Sequence, residues 1–168
     1  MGSCKASCSF QSDIHLLLSM IKHTQLSEVE VVHKLRSGGS GTVFLAQSLE
    51  TQELYAIKTV PLNAHTKDGF IREASVSTLF SMEDGQHIIN TLDCFTDETC
   101  GYIIMDVMES DLMERLGHFD CECEVKRIFQ QICSAIQHMH DHQVAHLDIK
   151  PDNILLDDKN NAYLCDFG

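Results

Sequence analysis

His146-Leu147-Asp148-Ile149-Lys150-Pro151-Asp152-Asn153, continued by Ile154-Leu155-Leu156 and closed by Asp166-Phe167-Gly168, is the stretch on which the reading of this chain turns. Its residue types and spacing suit phosphoryl transfer. Asp148 is placed to take or orient the proton of an attacking hydroxyl, and Lys150, two residues on, to neutralise charge on the moving phosphoryl group. Asn153 and Asp166 offer a carbonyl and a carboxylate oxygen. Mg2+ takes hard oxygen donors and is held by one or two protein groups together with substrate phosphates, so this pair points to Mg2+ and ATP. A bare D-x-K-x-x-N is common by chance. The flanking His146 and Pro151, the apolar run and the Asp-Phe-Gly make the combination specific.

The combination resembles the catalytic loop and the magnesium loop of eukaryotic protein kinases. The preceding sequence supplies the counterparts that such a family requires. Val29, Val31 and Leu35 lead as a strand into Arg36-Ser37-Gly38-Gly39-Ser40-Gly41-Thr42-Val43, where glycines let backbone amides approach phosphate oxygens. Taken alone, this is indistinguishable from a glycine-bearing hairpin turn. Fifteen residues after Val43, Tyr55-Ala56-Ile57-Lys58 resembles the strand whose lysine contacts the α- and β-phosphates. Phe70 to Phe80 has a helix-like apolar pattern and carries Glu73, fifteen residues after Lys58. The resemblance implies that Glu73 pairs with Lys58 and orients it; a solvated helix glutamate is the alternative. Ile88-Ile89 and the segment from Leu92 to Phe95 read as the next strand, and Tyr102 to Asp106 as another. On the family pattern Met105 is the gatekeeper, and backbone groups of Asp106 and Met108 face the adenine edge, where an ordinary edge strand is the competing reading.

The resemblance therefore implies an α+β, protein-kinase-like fold: an N-lobe antiparallel sheet with one helix, then an incomplete, mainly helical C-lobe. The N-lobe is expected over about 28–105, the hinge over about 106–109 and the partial C-lobe over 110–168. Gly38, Gly41, Val43, Ala56, Lys58, Asp106 and Met108 are the implied nucleotide contacts. Asp148, Lys150, Lys58 and Glu73 are the implied catalytic residues, with Asn153 and Asp166 as the Mg2+ ligands. Lys150 suits the serine/threonine type, so the expected activity is transfer of the ATP γ-phosphate to a protein Ser or Thr. A nonenzymatic nucleotide-binding or regulatory module is the alternative.

Two departures accompany the match. Arg36 stands where the first glycine of G-x-G-x-x-G is expected, a change that should stiffen or displace the loop. Leu147 replaces the arginine that receives a phosphorylated activation loop, a charge-assisted contact that leucine does not make. Control through that loop is therefore not expected. The resemblance covers the first half to three-fifths of a kinase domain, and a partner is expected over whatever C-lobe face is left uncovered.

From Val125 to Met139 the apolar Val125, Ile128, Phe129, Ile132, Cys133, Ile136 and Met139 share one helical face and read as core packing. Histidines at 138, 140, 142 and 146 carry no metal expectation, because a two-residue spacing on a helix turns neighbours to different faces. Cys121 and Cys123 read as the start of that helix. Asn153 to Asp166 reads as a hairpin with its turn at 157–161.

Composition narrows the partners. A formal charge of −13 opposes nucleic-acid or anionic-membrane binding, which needs basic surface. Eight irregularly placed cysteines without C-x-x-C suit reduced thiols and a cytoplasmic location. Residues 1–27 read as an N-terminal extension, with a short packing helix from Asp13 to His23. Gly2 with Cys4 and Cys8 is similar to a myristoylation and palmitoylation signal, although Ala6 departs from the stricter pattern. Membrane association is expected only through acylation at Gly2 and Cys4; a plain small-residue terminus is the other reading.

Overall fold

The computed structural model describes residues 29–82 and 87–168. The extension with its expected helix and its acylation pattern lies outside them. Five strands form an antiparallel sheet: β1 (Val29–Gly38), β2 (Gly41–Ser48), β3 (Leu54–Pro61), β4 (Thr91–Thr96) and β5 (Cys100–Asp106), in the order β1-β2-β3-β5-β4. Period-two alternation gives the sheet two apolar faces. Val29, Val31, Phe44, Ala46, Tyr55, Ile57, Tyr102 and Ile104 cluster on one. Ala56, Val60, Ile103 and Met105 lie on the other, in the main core. Lys58 alternates with Ile57 and so shares the second face, opposite Val43 on β2 and Ile103 on β5.

Helix α1 (Lys67–Met82) covers that second face. Its buried stripe is Phe70, Glu73, Ser77 and Phe80, spaced by three or four residues. The Phe70 ring lies so close to β5 that a Cβ on Gly101 would stand 2.5 Å from it, so close packing requires glycine there. The expected strand at Ile88-Ile89 is corrected: the sheet strand begins at Thr91, and Ile88 instead forms a parallel bridge to Leu164. Both isoleucines are buried in the main core and are better satisfied between the two halves of the molecule than on a sheet edge.

Beyond β5 come β6 (Ser110–Asp111), the single-turn helix α2 (Leu112–Arg115) and the long helix α3 (Glu122–Asp141). A 3-10 turn (Pro151–Asn153) leads into β7 (Ile154–Leu156), and β8 (Ala162–Leu164) completes a three-stranded sheet with β6. The hairpin turn is held by the Asp157 carboxylate, which accepts from the Lys159 and Asn161 amides at 2.9 and 2.7 Å. The apolar stripe of α3 is buried only in part. Ile128, Ala135 and Met139 are enclosed, whereas Val125 and Phe129 are 46% and 66% exposed and Cys133 is exposed too. Reading all seven apolar positions as core is thus corrected: β8 packs against one side of the helix, and the rest of the stripe is only partly covered.

Cys121 caps α3, its sulfur accepting from the Glu124 amide at 3.3 Å, as expected of a helix start. The reduced-thiol expectation fails at this place, since Cys121 and Cys123 are joined as a disulfide. Their Cα atoms lie 5.3 Å apart, within the span that a disulfide bridges.

Candidate active site

The fold gathers the sequence-selected polar residues between the two sheets. Lys58, on the buried middle of β3, extends beneath α1, where its Nζ donates to Glu73 Oε1 at 2.5 Å. The same ammonium donates to Asp166 Oδ1 at 2.8 Å. The lysine and glutamate side chains are 6% and 7% exposed, so their charges face one another almost without solvent. Burial alone would pull the Lys58 pKa down. The carboxylates of Glu73 and Asp166 outweigh it and hold the ammonium above its ordinary range. Burial raises Asp166 in the same way, but the Lys58 charge and its hydrogen bond win and leave the carboxyl below its ordinary value. For Glu73, burial prevails over Lys58 and lifts the carboxyl upward.

Asp148 and Lys150 form a second ionic group in a different setting. Lys150 Nζ donates to Asp148 Oδ2 at 2.6 Å, with both side chains about half exposed, 45% and 51%. The Lys150 hydrogen bond is the main influence holding Asp148 low. Asn153 is buried; its side-chain nitrogen donates to the Asp148 carbonyl at 2.9 Å and to Asp148 Oδ2 at 3.0 Å. Its backbone carbonyl accepts from Cys165 at 3.0 Å, which binds the start of β7 to the residue before Asp166.

His146 ties the two motifs together. Its Nδ1 accepts from the Asp148 amide at 3.3 Å, and its Nε2 faces the Cys165 carbonyl at 3.0 Å. An amide can only donate and a carbonyl only accept, so these contacts suit a ring proton on Nε2 rather than on Nδ1. The ring also lies against Phe167, which is buried between His146 and Phe80. Leu147, by contrast, is 91% exposed and has a left-handed backbone, φ 66°, as does Asp166 at φ 67°.

The residues expected to face a nucleotide fall as follows. Gly41 closes the β1–β2 turn at φ 129°, and a Cβ there would stand 2.5 Å from the Thr59 carbonyl, so this glycine serves the sheet itself. A Cβ at Gly38 or Gly39 would meet no atom within 4 Å, and both residues are exposed. Val43 is half-buried beside Lys58, and Ala56 is buried opposite Met105. The Asp106 amide donates to the Asn90 carbonyl at 3.2 Å. Met108 follows, half-buried, just before Glu109 bonds to Leu156.

A carboxylate, a side-chain carbonyl and a buried ammonium fit a magnesium-bound polyphosphate by donor chemistry. Asn153 and Asp166 are the residues that would hold the metal, and Lys58 would meet phosphate oxygens. Sequence reasoning missed two contributors. Ser40 Oγ donates to Asp166 Oδ2 at 3.0 Å, and Arg36 reaches Asp111 and Asp152. A serine at a hairpin tip has no distinctive spacing, and Arg36 registered only as a missing glycine.

Residues 29–168 match the family described as Protein kinase domain. The chain is 32% identical over 162 residues to serine/threonine-protein kinase shk2 of Schizosaccharomyces pombe, covering 89% of this chain and 26% of that protein. It is 30% identical over 157 residues to a probable serine/threonine-protein kinase, a KIN1 homolog, of Enterocytozoon bieneusi, covering 90% and 26%. Against the probable serine/threonine-protein kinase pkgA of Dictyostelium discoideum the identity is 28% over 148 residues, covering 85% and 11%. The chain thus spans a minor part of the length of each of these relatives.

Proposed function

Because the chain belongs to the protein kinase family, we propose that it supplies the nucleotide site and catalytic loop of an ATP-dependent serine/threonine kinase. The observation that carries this reading is the meeting of Lys58, Glu73 and Asp166 at 2.5 and 2.8 Å, reached from three distant parts of the chain. Lys58, fixed by Glu73, binds and orients phosphate oxygens. Asn153 and Asp166 hold Mg2+, which supplies charge neutralisation to the phosphates when bound. Asp148 accepts or orients the proton of the incoming hydroxyl, and Lys150 offsets negative charge beside it. Serine/threonine specificity rests on Lys150 and on the similarity to serine/threonine-protein kinases.

The test uses the full-length chain. Calorimetry with Mg-ATP is expected to show binding that Lys58→Met weakens, and a phosphorylation assay with serine/threonine peptides is expected to lose transfer in Asp166→Asn. Transfer that survives both substitutions overturns the assigned roles. Binding without transfer by the unmodified protein would instead identify a nonenzymatic nucleotide-binding module.

A further inference from the structure

We infer that Arg36 latches the β1–β2 hairpin over the cleft, so that a magnesium-nucleotide must compete with the chain's own contacts to enter. The Arg36 guanidinium makes three contacts across the cleft mouth. Nη1 lies 3.3 Å from Asp111 Oδ2 and donates to the Asp152 carbonyl at 2.9 Å, and Nη2 donates to Asp152 Oδ1 at 2.7 Å. Both acidic partners sit on fixed supports. Asp111 caps α2 through its other oxygen, accepting from the Glu114 amide at 2.9 Å, and Asp152 lies within the 3-10 turn ahead of Asn153.

A second contact closes the tip. Ser40 holds Asp166 Oδ2 while Lys58 holds Oδ1, so both oxygens of the proposed metal ligand are engaged within the chain. Little apolar burial competes with these polar contacts in placing the hairpin. Every residue from Val32 to Ser40 is exposed, and a Cβ at Gly38 or Gly39 would touch nothing. Position 36 is therefore more than a lost glycine: its side chain spans the two sheets and secures the loop. A ligand that enters beneath the hairpin must favour an opened arrangement by more than these contacts favour the closed one.

The inference rests on the nucleotide reading above, and its test separates the two. In the full-length chain, Arg36→Gly removes the latch from the hairpin. Asp152→Ala removes its charged anchor without altering the hairpin sequence. Hydrogen exchange of the amides of residues 37–43, followed without nucleotide, is expected to accelerate in both variants and no further in the double variant. Mg-ATP affinity by calorimetry is expected to rise about three- to tenfold, the scale of one or a few exposed ion pairs. Unchanged exchange in Asp152→Ala overturns the latch. Unchanged or weaker Mg-ATP binding in both variants overturns its competition with nucleotide. If neither the parent nor the variants bind Mg-ATP, the nucleotide reading falls, and the exchange result alone decides the latch.

Discussion

Two lysine–carboxylate pairs of nearly equal length stand in opposite surroundings. Lys58–Glu73 spans 2.5 Å with side chains 6% and 7% exposed; Lys150–Asp148 spans 2.6 Å with 45% and 51%. Distance does not distinguish them. Solvent does: attraction between charges at one separation grows as the effective dielectric falls, and so does the penalty for stranding one of them. The first pair is a fixture of the core. The second can give up its mutual contact at little cost, which suits the proton-handling role proposed for Asp148.

The comparison breaks most visibly if Lys58 is replaced. Lys58→Met leaves Glu73 buried without its cation and is expected to destabilise the fold by about 3–5 kcal/mol, the range for breaking a buried pair. Urea unfolding measures it. The double substitution Lys58→Met with Glu73→Leu should recover most of the loss, because it removes the stranded charge as well. A single-variant loss under about 1 kcal/mol, the range of exposed pairs, would show that the buried pair behaves like a surface one.

The same contrast explains what the sequence disclosed. Motif residues were legible because chemistry restricts their type and spacing: Asp148, Lys150, Asn153 and Asp166 stand at intervals that few unrelated chains share. The first strand was legible from Val29, Val31 and Leu35, the strands of Lys58 and Met105 from their resemblance to the kinase pattern, and the β7–β8 hairpin from its polar turn. Residues whose placement depends on distant partners were not. Ile88 and Ile89 carry a strand-like composition, but their burial is decided by Leu164 across the molecule. Phe129 and Val125 match the period of α3, yet periodicity defines a face without saying how far neighbours extend over it. The buried stripe of α1 contains Glu73 and Ser77, which a hydrophobic pattern passes over; the resemblance to the kinase pattern, with its helix glutamate at this distance from Lys58, drew attention to Glu73. Arg36 shows the limit most plainly. A motif comparison reads it as a departure, whereas its function depends on Asp111 and Asp152, 75 and 116 residues away.

A smaller effect sharpens the comparison from the side of pH. Asp166 has a folded pKa below its unfolded value, so its contribution is present above about pH 3.9 and is lost as pH falls through the folded pKa. Lys58, held above its ordinary value, contributes below about pH 10.4 and loses that contribution as pH rises through its folded pKa. Glu73 opposes Asp166 on the acid side, because its raised carboxyl binds a proton more readily in the folded chain. The discriminating measurement is therefore a difference. Thermal midpoints of the parent and Asp166→Asn, followed from neutral pH downward, should converge as the parent loses this carboxylate contribution. Parallel curves would mean that Asp166 gains nothing from Lys58.

The exposed pair supplies the smallest stability effect and the sharpest separation of roles. Asp148→Asn keeps the size of the side chain and an oxygen that Lys150 and Asn153 can both approach, while removing the charge and the capacity to take a proton. Since water already surrounds about half of each partner, little is stranded. The thermal midpoint is expected to stay within measurement error of the parent. Transfer to a serine/threonine peptide by the full-length chain is expected to fall at least about a hundredfold, the lower end of what a positioned proton acceptor contributes. Lys150→Met tests the other half of the pair: the fold should again be unaffected, with transfer reduced and Mg-ATP affinity little changed, because its ammonium serves charge beside Asp148 rather than the buried triad. Loss of stability in both variants, with no selective loss of transfer, would make the exposed pair a structural element like the buried one and remove the distinction that assigns Asp148 to proton handling.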